Sequence, residues 1–266
     1  MFKLGNFNID EILYGAAESS DNILYTLDQL SSAQIEISAE NTDITDKNGN
    51  VVKTLYTSKT GTFTATNAFL HPQVMNASSG SDIESATQEA PIQMPKIEVV
   101  DAGATIDVSE AIEGTIKVIG LFGNGANGVA LTAEEVAAIV VDGKLTAPAA
   151  GEDLPVQYLV RYERNAESGI KLVNDAKTFP STVKLTFLAS YVDPCEDNLK
   201  PCYIVIPRFM ADPNITISLD RETQELDFNG NLNVDYCSGS QKALYYIYFP
   251  DEELAVSGDG EVVPSV

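Results

Sequence analysis

Three glycines have the spacing of a motif that binds the pyrophosphate of dinucleotide cofactors. Gly123, Gly125 and Gly128 match the pattern Gly-x-Gly-x-x-Gly. The chemistry requires a helix that begins inside the motif, so that its free amide groups face the anion. The next helix that the sequence predicts begins only at Thr132, and no alternation of strands and helices surrounds it. We therefore interpret the glycines as a turn and predict that the chain binds no cofactor.

The segment 46–50, Asp-Lys-Asn-Gly-Asn, begins like a calcium-binding loop. An EF-hand loop also needs glycine at its sixth position and glutamate at its twelfth. Val51 and Thr57 occupy these two positions here. The Asn-Gly pair is instead a strong hairpin signal, because both positions tolerate a positive φ. We predict a tight turn between two strands and no metal site.

The residue types that most often carry nucleophilic catalysis are scarce. His71 is the single histidine, and the chain contains no Gly-x-Ser-x-Gly elbow that would pair with it. The three cysteines, Cys195, Cys202 and Cys237, lack the close pairing of zinc ligands, and their odd number argues against a disulfide framework. We predict free thiols and a protein that is not an enzyme.

Apolar and polar residues alternate over the stretch 215–236, as in strands that have one wet face. The polar side is largely acidic. It is either the solvated face of an antiparallel sheet or the lining of a channel through which DNA moves without being bound, and the alternation fits both. The residues predicted to face such a channel are Asp220, Glu225, Asp227, Asn229, Asn233 and Asp235.

Strands dominate the elements that position these residues. One helix is predicted, with Thr132 as its N-cap, Glu135 completing a capping box and Gly143 after its end. Residues 1–20 are predicted to form an arm or a short helix, and 71–96 a long irregular loop. Period-2 alternation and β-branched residues predict strands over 34–40, 60–66, 97–100, 115–121, 156–162, 182–189, 203–207 and 243–249.

Composition bounds the function classes further. The chain has 266 residues, 44% of them hydrophobic, which is enough for a packed core. Its 39 acidic and 16 basic residues give a net charge of −23, which opposes binding to phosphate backbones and anionic membranes. No signal peptide is predicted at the N-terminus, and no run approaches the 18 apolar residues of a membrane span. We predict no membrane partner.

Several segments resemble a known family of phage proteins. They are 192–197, 217–220, 224–230, 234–237 and 244–250, with 43–50, 59–62 and 67–69 further upstream. Over these segments the chain is similar to the major tail proteins of long-tailed bacteriophages, the subunits of the tail tube. The segments reach both ends of the chain, cover 97–190 weakly, and contain no catalytic residues.

The resemblance implies a mainly-β fold, an antiparallel β-sandwich or barrel with one short flanking helix, whose subunits pool strands into a ring. Rings, usually hexameric, then stack into a tube that conducts DNA during ejection without binding it specifically. The implied partners are copies of the chain and other tail proteins, and the implied location is the virion tail, after assembly in the host cytoplasm.

We accordingly expect a single tail-tube-like domain over 1–266. Within it, 1–21 would be an N-terminal arm, 71–96 a long inter-subunit loop, 97–190 an elaborated region and 251–266 a mobile acidic tail. Two alternatives remain. One is another virion component, such as a capsid decoration, connector or baseplate protein. The other is a β-sandwich carbohydrate-binding module or carbohydrate-active enzyme, for which the candidates are carboxylates and the aromatic residues Tyr245, Tyr246, Tyr248 and Phe249.

Overall fold

The computed structural model describes residues 7–19, 22–28, 30–67, 71–80, 83–193, 196–217, 225–236, 242–251, 255–256 and 262–263. The mainly-β class is confirmed. In chain order the elements are β1 Asn8–Glu18, β2 Ile23–Leu27, β3 Leu30–Thr45, β4 Val51–Asn67, α1 Pro72–Ser79, β5 Glu84–Ser85, β6 Ile92–Asp101, β7 Thr105–Asp107, β8 Lys117–Leu121, β9 Asn127–Ala130, α2 Ala133–Ile139, β10 Val140–Val141, β11 Lys144–Thr146, β12 Gln157–Ala166, β13 Ile170–Lys171, β14 Thr182–Asp193, β15 Glu196–Ala211, β16 Leu226–Leu232, β17 Tyr246–Tyr248, β18 Ala255–Val256 and β19 Val262–Val263.

The chain divides into two compact units. The first, which we call the main unit, comprises Met1–Asp82 and Leu172–Val266. The second, the inserted unit, is the continuous segment Ile83–Lys171. The elaborated region predicted over 97–190 overlaps the inserted unit and most of one strand of the main unit, β14. The expected single domain with its arm, loop and tail remains a prediction.

The main unit is built on an eight-stranded antiparallel sheet. Its strands follow the order β2-β1-β14-β15-β16-β4-β3, and β17 also pairs with β15. Its central strands alternate buried with more exposed residues, as the pattern over β16 and over residues 61–67 of β4 illustrates. One face of the sheet is therefore apolar and the other is wet.

Aromatic rings fill the apolar side of this sheet. The ring centroids of Phe63 and Phe187 lie 5.1 Å apart in a stacked arrangement, and Phe63 and Phe209 meet edge to face at 5.9 Å. Phe228, fully buried, contacts Tyr25 at 6.1 Å. Burying a phenylalanine side chain is worth about 1.5–3 kcal/mol, so this cluster holds together strands that are distant in sequence.

The helix α1 corrects the prediction of an irregular loop over 71–96. Pro72 occupies the first helical turn, where its fixed φ favours the helix and its missing N–H costs nothing. Gly80, at a φ of 71°, ends the helix in the left-handed conformation. Val74 then packs into the main core. The strand β6 begins at Ile92, so the irregular part is shorter than predicted, and the described residues contain two helices rather than one.

The N-terminal segment corrects another local prediction. Asn8–Glu18 forms the strand β1, not a short helix, and it pairs antiparallel with β14 and β2. The apolar spacing of Ile9, Ile12 and Leu13 fits a helix, but pairing with β14 and packing against the core override it.

The turn between β3 and β4 confirms the predicted hairpin. Asp46 Oδ1 accepts hydrogen bonds from the backbone N–H of Asn48 and of Asn50, both at 2.8 Å. Gly49 has a φ of 84°, which glycine adopts without strain. These hydrogen bonds, with the side chain of Asn50 foremost, lower the pKa of Asp46.

The inserted unit is a small two-layer structure. A four-stranded antiparallel sheet in the order β6-β12-β8-β9 forms one layer. The second layer contains the three-stranded sheet β10-β11-β7 and the helix α2. Val100, Val118 and Val160 from the first layer share a core with Leu145 and Val136 from the second.

Most other sequence predictions for the inserted unit are confirmed. Thr132 caps α2 in a capping box: Thr132 Oγ1 accepts from the N–H of Glu135, and Glu135 Oε2 accepts from the N–H of Thr132 at 2.7 Å. Gly125 adopts a φ of 79° in the turn between β8 and β9, and α2 begins only after that turn. The predicted strands over 97–100, 115–121 and 156–162 correspond to β6, β8 and β12.

The C-terminal stretch forms less strand than predicted. Among the described residues of this stretch, 215–217 and 225–236, the strand is β16, which pairs with β4 and β15. Residues 215–217 are not in a strand. The strand predicted over 243–249 contracts to β17. Of the tail 251–266, the structure describes residue 251 and the short pair β18–β19.

Candidate functional site

The wet side of the main sheet carries a continuous band of uncharged and acidic side chains across three neighbouring strands. We call this band the polar face. It is exposed or half-buried throughout, while the residues between its members on β4 and β16 are buried on the core side of the sheet. Its members are Ser32, Gln34, Glu36 and Ser38 on β3, Thr60, Thr62, Thr64 and Thr66 on β4, and Asp227, Asn229 and Asn231 on β16.

Strand register brings these residues into rows. Asn229 is directly opposite Thr64 on β4, which is opposite Gln34 on β3. Side chains also bond across strands: the hydroxyls of Ser38 and Thr60 lie 2.8 Å apart. Directly paired side chains on one sheet face contact one another, so the polar face is a bonded surface, not a set of independent groups.

The charge on this face is low and of one sign. Glu36 and Asp227 are its two carboxylates, and no member is basic. Thr66 Oγ1 donates to Asp227 Oδ1 at 3.4 Å. The face therefore presents hydroxyl, amide and carboxylate groups, without the cations that would hold a phosphate.

The residues predicted to face a channel are only partly brought together. Asp227 and Asn229 lie on the polar face, and Glu225 is exposed just before β16. Asn233 and Asp235 follow β16 and are half-buried, and the backbone N–H of Asn233 donates to the carbonyl of Arg208 at 2.7 Å. Asp220 lies outside the described residues.

Sequence reasoning missed the larger part of this face, the contributions of β3 and β4. A signal was present, because threonine recurs at every second position from Thr60 to Thr66 around Gly61, Phe63 and Ala65. Which strands would lie beside β16 was not readable, since β4 and β16 pair across a wide separation in sequence.

A second charged feature lies on the wet side of the same sheet. Lys184 Nζ donates to Glu18 Oε2 at 2.9 Å and joins β14 to β1. This hydrogen bond is the main cause that lowers the pKa of Glu18. The pair is partly exposed, so it contributes modestly to stability.

Besides the short β17, which pairs with β15 alone, two strands at the ends of the main sheet have an edge without a neighbour in the part of the chain that the structure describes. They are β2 and β3, the first and last strands of the sheet. An unpaired edge presents free N–H and C=O groups and is a site for pairing with another strand.

The far part of the β3–β4 hairpin, residues 38–60, extends beyond the core. None of its residues is buried. It nevertheless carries large apolar side chains, with Tyr56 73%, Val52 69% and Val51 57% exposed. We call this segment the exposed hairpin. Apolar groups held in water on a long hairpin are typical of a surface that another molecule covers.

A cavity of about 480 Å³ opens on the apolar side of the main sheet. Its wall is mainly aliphatic and aromatic, with Ile35, Phe63, Phe187 and Ile204 among the lining residues and Asp10 and Glu11 also present. Its polar lining residues are Asp10 and Glu11 on β1 and Ser31, Ser32 and Gln34 on β3. The cavity is an incompletely covered part of the core side of the sheet.

The described residues give little support for catalysis or metal binding. They contain no group of three potential metal ligands. Cys202 is buried at the pairing of β15 with β14, and burial raises the pKa of its thiol to about 11, so the thiol stays protonated. No helix within the described ranges has the length and apolar character of a membrane span.

Comparison with known proteins identifies the family. No curated protein matches the chain. A model of the YomU/Tube protein family matches residues 12–247, which include the polar face, the exposed hairpin and the whole inserted unit. The match extends over far more than half of the 266 residues. The chain therefore belongs to the YomU/Tube protein family, a family of structural proteins of the phage tail tube, as its resemblance to the major tail proteins predicts.

Proposed function

We propose that the chain is the subunit that polymerises, as stacked hexameric rings, into the tail tube of a bacteriophage and forms the conduit through which DNA is ejected. The observation that carries the proposal is a sheet whose polar face contains no base and whose end strands, β2 and β3, have free outer edges in the described structure. Family membership supports the tube; the ring symmetry and the conduit are our inference.

Ring closure would use the free edges. The strand β3 of one copy, or the strand β2, pairs with an edge of the next copy, so that each sheet continues into its neighbour. Pooling strands in this way removes open sheet edges, which would otherwise be sites of aggregation. Closure by a repeated head-to-tail contact gives a ring when the rotation between copies completes a circle.

The polar face would line the channel. DNA carries one negative charge per about 1.7 Å of helix axis, and proteins hold it mainly through Lys and Arg contacts to phosphate. A wall of Thr, Asn, Gln and Ser with scattered carboxylates offers no such contacts. DNA would therefore slide along this wall without being bound.

Stacking of rings would use the exposed hairpin. Its strands extend over residues 38–45 and 51–60, which correspond to about 27 and 34 Å at about 3.4 Å per residue. Its exposed Tyr56 and Val52 would be covered by the adjacent ring. The N-terminal residues 1–21, the segment 71–96 and the tail 251–266 are further candidates for contacts between copies or with other tail proteins.

Electron microscopy of the purified full-length chain tests the proposal. We expect rings or tubes of uniform diameter in negative stain, with six-fold end views. Assembly takes place in the host cytoplasm on this proposal and the product is the virion tail, so the same tubes should appear in lysates of producing cells. A monodisperse monomer at high concentration would refute the proposal. A closed particle of another symmetry would instead indicate a capsid decoration, connector or baseplate protein, and a monomer that retains a glycan would indicate a carbohydrate-binding module.

A further inference from the structure

The four-stranded sheet of the inserted unit has an apolar outer face. Across its four strands, Val99 on β6 is opposite Leu159 on β12, Leu159 is opposite Ile119 on β8, and Ile119 is opposite Ala130 on β9. Ile97, two positions from Val99, adds to this row and is 62% exposed, while Val99 is 53% exposed. We call these residues the apolar row. An unbroken apolar row on the solvent side is unusual, because such faces are normally polar.

Two bases border the apolar row. Register places Arg161 opposite Ile97 and opposite Lys117. Arg161 is paired with Glu163, whereas Lys117 has no ion-pair partner among the residues that the structure describes. On one side of the row, cations therefore lie next to apolar groups on a chain with a net charge of −23. The other side is bordered by Gln157, which donates to the carboxylate of Asp101 at 3.0 Å.

The opposite layer of the inserted unit has the complementary character. The two layers lie on opposite sides of a shared core, to which β12 and β8 contribute Val160 and Val118 and α2 contributes Val136. The outer surface of that layer carries Glu134, Val141 and Asp142, all exposed, and Val141 is 64% exposed. Its charged residues are mostly carboxylates, Asp107, Glu134, Glu135 and Asp142, with Lys144 as a base.

We propose that the inserted unit is itself an assembly module, whose apolar row and flanking bases dock against the acidic helix layer of the inserted unit in a second copy of this chain. This inference rests on the proposed tube and deepens it, because it assigns part of the subunit contact to a surface outside the pooled main sheet. Complementary surfaces on opposite sides of one unit make a head-to-tail contact, the geometry that closes rings of identical subunits.

Charge selects the second copy as the occupant. Copies of a chain with a net charge of −23 repel one another over most surfaces. Lys117 and Arg161 on one copy face Glu134 and Asp142 on the next in the proposed contact, so opposite charges meet at the rim of an apolar centre. Such an arrangement of an apolar core with charged flanks is typical of specific interfaces.

Charge reversal in the full-length chain tests the docking. The face variant combines Lys117→Glu with Arg161→Glu. The helix-layer variant combines Glu134→Lys with Ala138→Lys, because Ala138 is exposed one helical turn after Glu134 on α2 and so adds a second positive charge to the same surface. All four positions are outside the buried core. A matched control, Glu152→Lys with Glu167→Lys, alters exposed positions on neither surface. Assembly is followed by light scattering against protein concentration, and circular dichroism confirms that each free subunit is folded.

We expect each variant alone to raise the concentration for half-maximal assembly by about tenfold, because like charges then meet across the contact. The control should assemble like the unmodified chain. Mixing the face and helix-layer variants in equal amounts should restore assembly, because each reversed surface finds its reversed partner and each native surface its native partner.

The outcomes separate this inference from the tube itself. Failure of the unmodified chain to assemble refutes the proposed function and this docking with it. Assembly of both variants at the unmodified concentration, or a mixture no better than either variant, refutes the docking and leaves the tube intact. If the face variant does not fold, Ile97→Thr with Val99→Thr keeps the strand propensity and carries the same expectation of a raised assembly concentration.

Discussion

Replacing Tyr56 with serine should weaken the stacking of rings without altering the folding of the subunit. Tyr56 lies on β4 in the exposed hairpin and is 73% exposed. Exposed substitutions away from caps and buried networks usually alter the free energy of unfolding by less than about 0.5 kcal/mol. We therefore expect Tyr56→Ser to leave the stability of the free subunit nearly unchanged.

The expected effect on stacking follows from that exposure. An enclosed tyrosine buries about 150–250 Å², so covering a side chain that is 73% exposed removes about 110–180 Å² from water. At about 25 cal/mol per Å² the gain is about 3–4 kcal/mol before the costs of association. If the net gain in association free energy is about 2 kcal/mol after those costs, loss of the Tyr56 side chain weakens each stacking contact about thirtyfold.

Tube length in negative-stain micrographs is the assay, with chemical denaturation of the free subunit as the folding control. Phe179→Ser is the matched variant, because Phe179 is 71% exposed and follows Thr178, whose hydroxyl donates to the carbonyl of Ser79 on α1 and not to the hairpin. Tyr56→Ser should give short tubes or single rings, and Phe179→Ser tubes of normal length. Tubes of unmodified length from Tyr56→Ser, at unchanged subunit stability, would refute the assignment of the hairpin to stacking.

Three further predictions concern the stability of the free subunit. Phe228→Ala should lower the free energy of unfolding by about 3–5 kcal/mol in urea denaturation, because it empties a fully buried site, while the exposed neighbour Asp227→Ala should cost under about 0.5 kcal/mol. Thr132→Ala should cost about 1 kcal/mol and Thr132→Ser much less, because serine keeps the capping hydroxyl of α2; equal losses would contradict the capping box. Glu18→Gln should destabilise the chain by under about 1 kcal/mol at neutral pH. Since the folded pKa of Glu18 is lowered from its ordinary value of 4.5, its contribution is present above that value and disappears as the pH falls through the folded pKa, so unfolding curves of the two proteins should converge in acid and stay apart at pH 7.

Local signals predicted those parts of the fold that local hydrogen bonds determine. The turn between β3 and β4 and the capping box at Thr132 each form their hydrogen bonds within a few residues, so the sequence alone predicts them. The alternation in β16 likewise predicted which of its residues are wet, and the structure confirms this for Asp227 and Asn229.

Features that depend on distant contacts were not accessible in this way. The spacing of Ile9, Ile12 and Leu13 fits a helix, and only the pairing of β1 with β14, some 170–180 residues later in the chain, makes it a strand. Helix α1 was not predicted because a proline alone indicates a loop. At the first turn of a helix, however, proline is favourable. The polar face was seen only in its β16 part, because the register that adds β3 and β4 is tertiary information.

The low charge of the polar face resolves an apparent conflict in the chemistry of a DNA conduit. A wall dense in carboxylates would repel phosphates, but it would also repel the neighbouring copies whose strands must join it, and the chain already carries a net charge of −23. Threonine, asparagine, glutamine and serine avoid this repulsion between copies, because their side chains are hydrated but uncharged. Threonine also favours strands. On the proposed function, passage of DNA then depends on the absence of bases from the wall more than on an excess of acids. Glu36 and Asp227 give the wall charges of the same sign as phosphate, and none of its members offers the cation that would hold one.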